Sequence, residues 1–275
     1  MKAFEILNSW PVSQVSAAVI MPDRAVQRFG DTASQFELAS ITKVIAAAAV
    51  HLGVEEGSIA LDTEVGVLRD GDTSRGATVA HTLAHAGGFA PDGAVLGDPG
   101  AKRIYSNGGY ELLAQIVASA TEMPFDQYMQ LGVFDALEMK SSVLAGSAAY
   151  AGRSTIDDLV KFILGLPHLL APQTIDAMTS PYMPQLDGVL PGYGRQSPNL
   201  WGLGPEIRGN KSPHWTGATN SSRTWGHFGQ AGTFLWVDPE CQVTTIVLTD
   251  EPFGKWALPL WPAFSDAARE EALSA

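Results

Sequence analysis

Strand-forming segments lie at both ends of this 275-residue chain, with a long helix-forming stretch between them. Near the N-terminus, an apolar run at 16–21 and an alternating segment at 25–29 flank a Pro-Asp-Arg turn, which predicts a hairpin. Further strand-like runs lie at 200–208, 232–237 and 242–248. Because strands must pair to satisfy their backbone, we expect both ends of the chain to enter one antiparallel sheet.

Helical spacing fills the middle of the chain and returns at its C-terminus. Residues 41–52 are rich in alanine and apolar on all sides, which is typical of a helix buried in the interior. The other segments with helical spacing are 111–120, 125–134, 155–166 and 256–273. We therefore predict an α/β (α+β) fold, in which an antiparallel sheet built from both chain ends is flanked by helices and carries an inserted all-helical region.

This order of elements predicts two domains. Residues 1–58 and 193–275 are expected to form the sheet domain, and residues 59–192 the mainly helical insert. The segment 181–213 is rich in proline and glycine, which indicates loops over one edge. A cleft between two such parts is a natural ligand site, and these loops are expected to shape it.

Charge and cysteine content exclude several classes of function. The net charge of −12 repels phosphate backbones and anionic lipids, so neither a nucleic acid nor a membrane is expected as a partner. The single cysteine excludes an intramolecular disulfide, and the dispersed histidines lack zinc-ligand spacing, so we expect no metal and no cofactor. The first residues lack the continuous apolar stretch of a signal peptide, which predicts a cytoplasmic protein.

A Ser-x-x-Lys motif, Ser40-Ile41-Thr42-Lys43, opens the predicted buried helix. A separation of three residues puts the hydroxyl and the amine on one helical face. A serine hydroxyl is a weak nucleophile until a base takes its proton, and a lysine in an apolar site has a pKa low enough to assist. Alone the motif is a weak signal, since Ser40 is equally suited to capping the helix.

Two further motifs follow in the sequence. Tyr105-Ser106-Asn107 offers a phenol, which can relay a proton, and an amide, which can donate to a substrate carbonyl. The segment 225–230, Trp-Gly-His-Phe-Gly-Gln, lies directly before a predicted strand, and its glycines allow a close approach of the backbone to a ligand.

These three motifs, in this order, resemble those of the serine β-lactamase and penicillin-binding-protein superfamily. The branch is the one similar to class C β-lactamases, D-alanyl-D-alanine peptidases and related esterases. The resemblance covers most of the chain and includes the segments 36–43, 82–88, 105–113, 201–204 and 226–229. It implies a sheet flanked by helices that meets a helical region, with the serine at the junction.

Carried over by position, the resemblance implies a role for each motif residue. Ser40 is expected to be acylated, with Lys43 activating it and Tyr105 relaying the proton. The residues expected to contact substrate are Asn107, His227, Phe228, Gly229 and Gln230. Asn107 is also expected to hold Lys43, and the backbone N–H groups of Ser40 and Gln230 to form the oxyanion hole. His85 is expected to be structural, shaping the helical region beneath the site.

The sequence departs from many of these relatives at Phe228, where they carry a threonine or serine that helps bind a substrate carboxylate. Losing this hydroxyl favours neutral esters or amides, so we expect an esterase-like serine hydrolase acting on a small ester, amide or lactam. The alternatives are a β-lactamase or D-alanyl-D-alanine peptidase, an acyltransferase, and a ligand-binding or sensor protein without turnover. The sequence leaves the oligomeric state and the choice of Lys43 or Tyr105 as resting base open.

Overall fold

The computed structural model describes residues 1–65 and 76–274 and shows a mixed fold of helices and antiparallel strands. In chain order the strands are β1 (Val15–Ile20), β2 (Val26–Phe29), β3 (Phe36–Glu37), β4 (Val143–Leu144), β5 (Gly152–Ser154), β6 (Gly188–Leu190), β7 (Gly194–Gln196), β8 (Glu206–Ile207), β9 (Trp225–Gly229), β10 (Thr233–Asp238) and β11 (Val243–Thr249). The helices are α1 (Thr42–Glu55), α2 (Val79–Leu83), α3 (Asn107–Thr121), α4 (Phe125–Met129), α5 (Ile156–Leu169), α6 (Pro172–Thr179) and α7 (Ala257–Ser274).

The main sheet joins the two ends of the chain, which confirms the predicted architecture. Its six strands run in the order β2-β1-β11-β10-β9-β8, and every pairing is antiparallel. The junction is the β1–β11 ladder, in which Ala17 lies opposite Val247 and Val19 opposite Thr245. The predicted N-terminal hairpin is the β1–β2 pair.

The two faces of the main sheet contribute side chains to two separate apolar cores. Ala17 and Val19 of β1 face the core beneath α7, while Ala18 and Ile20 face the larger core that contains α1. The two-residue period of a strand explains this division, because successive side chains point to opposite faces. Both faces of β1 are therefore covered, and residues 16–20 are all buried.

Helix α1 occupies the centre of the larger core. Residues 42–50 are each at most 1% exposed, as the predicted all-round apolar pattern requires. Small alanine side chains allow α3 and α4 to approach it on one side and β9 on the other. The start of α1 therefore lies between the sheet and the helices, where its first turn can reach residues of both.

The short strands β4, β5 and β6 lie within residues 59–192, the insert that the sequence predicts to be mainly helical. Strands β3, β5 and β4 form a small sheet, and β6 pairs with β7 in a hairpin. These strands are two or three residues long, too short for an alternating pattern to distinguish them from loops. The strand expected at 200–208 contains only Glu206–Ile207, because Gly202, Gly204 and Pro205 interrupt it.

Helix α5 lies within the predicted insert, yet it packs on β1 and β11 of the main sheet. The division at 58/59 and 192/193 stays a prediction, and part of the insert, residues 66–75, lies outside the described residues. None of the helices in the described part of the chain is both long and apolar enough to cross a membrane.

Candidate active site

Ser40 lies in a tight turn that the backbone reaches only under strain. Residues Ala39–Ile41 form one turn of 3-10 helix directly before α1, and Ala39 has a φ of +45°. A left-handed conformation is costly for a residue with a Cβ and persists only where the surroundings enforce it. The turn is held against β9, because a Cβ added at Gly229 would overlap Leu38 O.

Lys43 lies one helical turn after Ser40 and is completely buried. Its Nζ is 3.3 Å from Ser40 Oγ, 2.7 Å from Asn107 Oδ1 and 2.9 Å from Ala149 O. Burial lowers the pKa of Lys43 to about 7, although the nearby Glu111 carboxylate acts in the opposite direction. The neutral amine is therefore accessible to Lys43 near neutral pH.

The contacts of Lys43 fix the direction of its lone pair when it is neutral. The oxygens of Asn107 and Ala149 are acceptors, so each takes one hydrogen of a neutral amine. The remaining tetrahedral position then points at Ser40 Oγ. In this form Lys43 can accept the hydroxyl proton of Ser40.

Tyr105, the first residue of the Tyr-Ser-Asn motif, contacts Ser40 through its hydroxyl. Its hydroxyl is 2.8 Å from Ser40 Oγ and 3.2 Å from His227 Nε2. Burial raises the pKa of Tyr105 above its ordinary value, so the phenol is protonated at neutral pH. The Lys43 ammonium lies 4.7 Å from the centre of the Tyr105 ring, where it is attracted by the π-electrons.

The tautomer of His227 follows from its second contact. His227 Nδ1 is 2.6 Å from Phe228 O, and a carbonyl oxygen only accepts, so Nδ1 carries the proton. Burial, with the charge of Lys43, lowers the pKa of His227 to about 3, which keeps the ring neutral. Nε2 can therefore accept from the Tyr105 hydroxyl, whose single proton is shared between this contact and the bond that it donates to Ser40 Oγ.

A cavity of about 230 Å³ opens above Ser40. Its walls are formed by the site residues and by apolar side chains: Ser40, Tyr105, Asn107, Leu190, Pro191, Trp201, His227, Phe228 and Gln230. The ring of Phe228 is held in place by Phe253, whose ring centre is 4.9 Å away. Phe228 therefore presents a fixed apolar surface to the cavity.

The structure brings the sequence-predicted residues together around one point. Ser40, Lys43, Tyr105, Asn107 and His227 form a single hydrogen-bonded cluster. Phe228 and Gln230 line the same cavity, and Gly229 provides the close contact between β9 and the Ser40 turn. The roles of these residues, including the oxyanion hole, remain proposals.

Several contributors to the site carry no signal in the sequence. Ala149 acts through its backbone carbonyl, which any residue possesses. Leu190 and Pro191 lie at the tip of the β6–β7 hairpin, inside the proline- and glycine-rich segment that was expected to shape the cleft, but no spacing singles them out. In residues 1–65 and 76–274, no group of three or more histidine, cysteine, aspartate or glutamate side chains is arranged to hold a metal ion.

Comparisons with known proteins place the chain among related sequences. The model of the beta-lactamase family matches residues 13–261. The crystal structure of a beta-lactamase from Mycobacterium bovis is 46% identical, with a TM-score of 0.94, over 98% of this chain and 99% of that one. The crystal structure of a D-amino acid amidase from Ochrobactrum anthropi has the same fold at 19% identity, with a TM-score of 0.78 over 98% of this chain and 95% of the amidase.

Curated relatives are more distant and longer. A protein named "Putative D-alanyl-D-alanine carboxypeptidase" from Salmonella schwarzengrund is 28% identical over 207 residues, which cover 58% of this chain and 48% of the relative. The chain thus spans about half the length of the curated relatives it matches.

Proposed function

Because the chain belongs to the beta-lactamase family, we propose that it is a serine hydrolase in which small neutral esters or amides acylate Ser40. The observation that carries this proposal is the position of Ser40 Oγ, 3.3 Å from the buried Lys43 amine and 2.8 Å from the half-buried Tyr105 phenol. A nucleophile with a proton acceptor and a relay group within hydrogen-bond reach is the arrangement that acyl transfer requires.

In the acylation step, Ser40 Oγ attacks the carbonyl carbon of the substrate while its proton moves to neutral Lys43. Two features favour Lys43 over Tyr105 as the base. The pKa of Lys43, about 7, matches proton transfer near neutral pH. Tyr105 donates its phenol proton to Ser40 Oγ, and burial raises the pKa of Tyr105, so the protonated phenol cannot take the Ser40 proton.

The tetrahedral intermediate then collapses and releases an alcohol or an amine. Its oxyanion is expected to accept hydrogen bonds from the Ser40 and Gln230 backbone N–H groups, at the start of α1 and the end of β9. The Tyr105 hydroxyl donates its proton to the leaving group, and the proton that Lys43 took from Ser40 restores the phenol. Both groups lie within hydrogen-bond reach of Ser40 Oγ. Water repeats the sequence in reverse, attacking the acyl carbon and restoring Ser40.

The cavity wall favours neutral substrates. None of the described residues that line the cavity is a lysine or an arginine, and Phe228 offers a phenyl ring where a carboxylate would need a hydroxyl. Placing a carboxylate against this wall would remove its hydration without replacing it by hydrogen bonds. A volume of about 230 Å³ suits a short acyl group.

The second candidate function is hydrolysis of a β-lactam or a D-alanyl peptide. It is favoured by the 46% identity to the Mycobacterium bovis protein, whose structure is described as that of a beta-lactamase. The two candidates differ at the substrate carboxylate, which penicillins and D-alanyl termini carry and simple esters lack. Acyl transfer to an acceptor alcohol instead of water would use the same intermediate.

The test compares kcat/KM for p-nitrophenyl butyrate, benzylpenicillin and a D-alanyl-D-alanine peptide in the native protein, Ser40→Ala and Phe228→Thr. We expect sustained Ser40-dependent turnover of the ester, with little turnover of the two carboxylates. Phe228→Thr should raise kcat/KM for the carboxylates by roughly tenfold, the value of one hydrogen bond to a charged group. Preference of the native protein for penicillin would support the second candidate, and a single burst without turnover would indicate a protein that only traps ligands.

A further inference from the structure

His85 occupies a backbone position that ordinarily suits glycine. It follows α2 with a φ of +55°, and its N–H bonds to Thr82 O at the end of that helix. Helices commonly end with such a left-handed residue, most often glycine, because a Cβ costs about 1–2 kcal/mol there. A histidine at this position suggests that its side chain has a function that offsets the strain.

His85 contacts three consecutive residues of the loop that carries Tyr105. Its carbonyl accepts from the N–H of Ile104 at 2.8 Å, and its Nδ1 accepts from the N–H of Ser106 at 3.2 Å. Between these two bonds, the ring of His85 lies 4.5 Å from the ring of Tyr105, centre to centre. The ring and the backbone carbonyl of His85 therefore fix the residues on both sides of Tyr105 as well as the phenol itself.

The hydrogen-bonding state of His85 is set by its contact with Ser106. A backbone N–H only donates, so Nδ1 is unprotonated and the proton of the neutral ring is on Nε2. Burial and the charges near the ring, chiefly that of Lys43, lower the pKa of His85 well below its ordinary value. Nε2 is buried and has no hydrogen-bond partner among the described residues, so the acceptor Nδ1 is the atom that orients the loop.

We propose that His85 is a positioning residue for Tyr105: its Nδ1 holds the loop so that the phenol lies at hydrogen-bonding distance from Ser40 Oγ. The inference rests on the proposed function, in which Tyr105 carries protons to the leaving group. The bond between the Tyr105 hydroxyl and Ser40 Oγ is 2.8 Å long, so a displacement of 1 Å would break it. Misplacements of that size at a reacting centre cost about a hundredfold in rate.

The variants separate the acceptor from the ring. His85→Leu removes both, whereas His85→Asn removes the ring but keeps an oxygen near the Nδ1 position and tolerates the left-handed backbone. His51→Leu is the matched control, since His51 is also buried and bonds a backbone carbonyl, Leu203 O, through Nε2 at 2.8 Å. Each variant is made with Tyr105 and in a Tyr105→Phe background.

Three quantities are measured for every variant: the rate of Ser40 labelling by a fluorophosphonate, kcat and KM for ethyl butyrate, whose alkoxide leaving group must be protonated, and the thermal unfolding temperature. We expect His85→Leu to lower kcat for ethyl butyrate by about 10- to 100-fold, with KM changed less than about threefold. Labelling should change less, because its fluoride leaves without a proton. His85→Asn should retain the rate within about fivefold. In the Tyr105→Phe background, His85→Leu should cost less than about threefold, because the group it positions is absent.

A purely structural His85 would give a different pattern. The inference is overturned if His85→Leu lowers kcat for ethyl butyrate by the same factor with and without the Tyr105 hydroxyl, or if His51→Leu lowers it equally. If His85→Leu does not fold, His85→Gln, whose amide extends past the Nδ1 position, replaces it in the same cycle. Failure of the native protein to be labelled at Ser40 would overturn the proposed function and this inference together, whereas normal labelling with additive effects would overturn the inference alone.

Discussion

Substituting Asn107 by aspartate tests whether neutral Lys43 is the base. Asn107 Oδ1 is 2.7 Å from Lys43 Nζ, and aspartate has nearly the same shape, so the change adds a negative charge without altering the packing. Two unit charges 4 Å apart interact by about 4 kcal/mol at an effective dielectric constant of 20. The cost of burying the new carboxylate offsets part of this attraction, so the charged form of Lys43 is stabilised by roughly 3 kcal/mol relative to the neutral form.

This free energy corresponds to a rise of about two units in the pKa of Lys43. In the native protein the pKa of Lys43 is about 7, so the acylation rate should rise with pH and level off above that value. In Asn107→Asp the midpoint should move to about pH 9, and the rate at pH 7 should fall roughly 50-fold because only about one lysine in a hundred stays neutral.

The assay is the pH dependence of kcat/KM for p-nitrophenyl butyrate, with the rate of fluorophosphonate labelling as a second probe. Asn107→Leu is the control, because it removes the amide without adding a charge and so should not raise the midpoint. A midpoint that stays near 7 in Asn107→Asp, with the protein folded, would refute the assignment of Lys43 as the titrating base.

Three further changes test other parts of the site. Gly229→Ala should lower kcat/KM in the ester assay by about a hundredfold, because the added Cβ overlaps Leu38 O and pushes β9 away from the serine turn. Gly97→Ala is the control and should be neutral, because nothing lies within 4 Å of its added Cβ. Equal rates for the two variants would contradict the close contact. Tyr105→Phe should slow the turnover of ethyl butyrate, whose alkoxide leaving group needs a proton, by about 10²- to 10⁴-fold without changing the unfolding temperature by more than a few degrees. A native rate with ethyl butyrate would exclude the proton relay. Arg103→Met should lower the free energy of unfolding, measured by chemical denaturation, by roughly 3–5 kcal/mol, because the buried guanidinium donates to four backbone carbonyls. A loss under about 1 kcal/mol would show that these hydrogen bonds contribute little to stability.

The parts of the fold that the sequence predicts well are those with a clear periodicity. The apolar pattern of residues 41–52 predicts a buried helix because no polar face is left for solvent, and α1 is buried in this way. The hairpin of β1 and β2 and the strands β10 and β11 also follow from their patterns. Strands of two or three residues, such as β3 and β8, depend on tertiary pairing and carry too few residues to show a period.

The candidate site is predictable where chemistry depends on side chains in a fixed spacing. Ser40 and Lys43 meet because a helix brings residues three apart onto one face, so their proximity follows from four residues of sequence. The proximity of Tyr105 and His227, 122 residues apart, was implied only by the resemblance to a known superfamily. The acceptor at Ala149 depends on a backbone position that no local pattern specifies. The sequence singles out His85 as structural, but not its contact with the Tyr105 loop.

The central claim is that Ser40 forms the acyl intermediate, and intact-mass analysis tests it most directly. The native protein and Ser40→Ala are incubated separately with a fluorophosphonate and with p-nitrophenyl butyrate and then quenched in acid. The intact masses are measured by mass spectrometry, and the modified peptide is sequenced. The account predicts an adduct on Ser40 with the fluorophosphonate, turnover of the ester through a mass increase of one acyl group, and neither in Ser40→Ala. Adducts and turnover that persist in Ser40→Ala would contradict it.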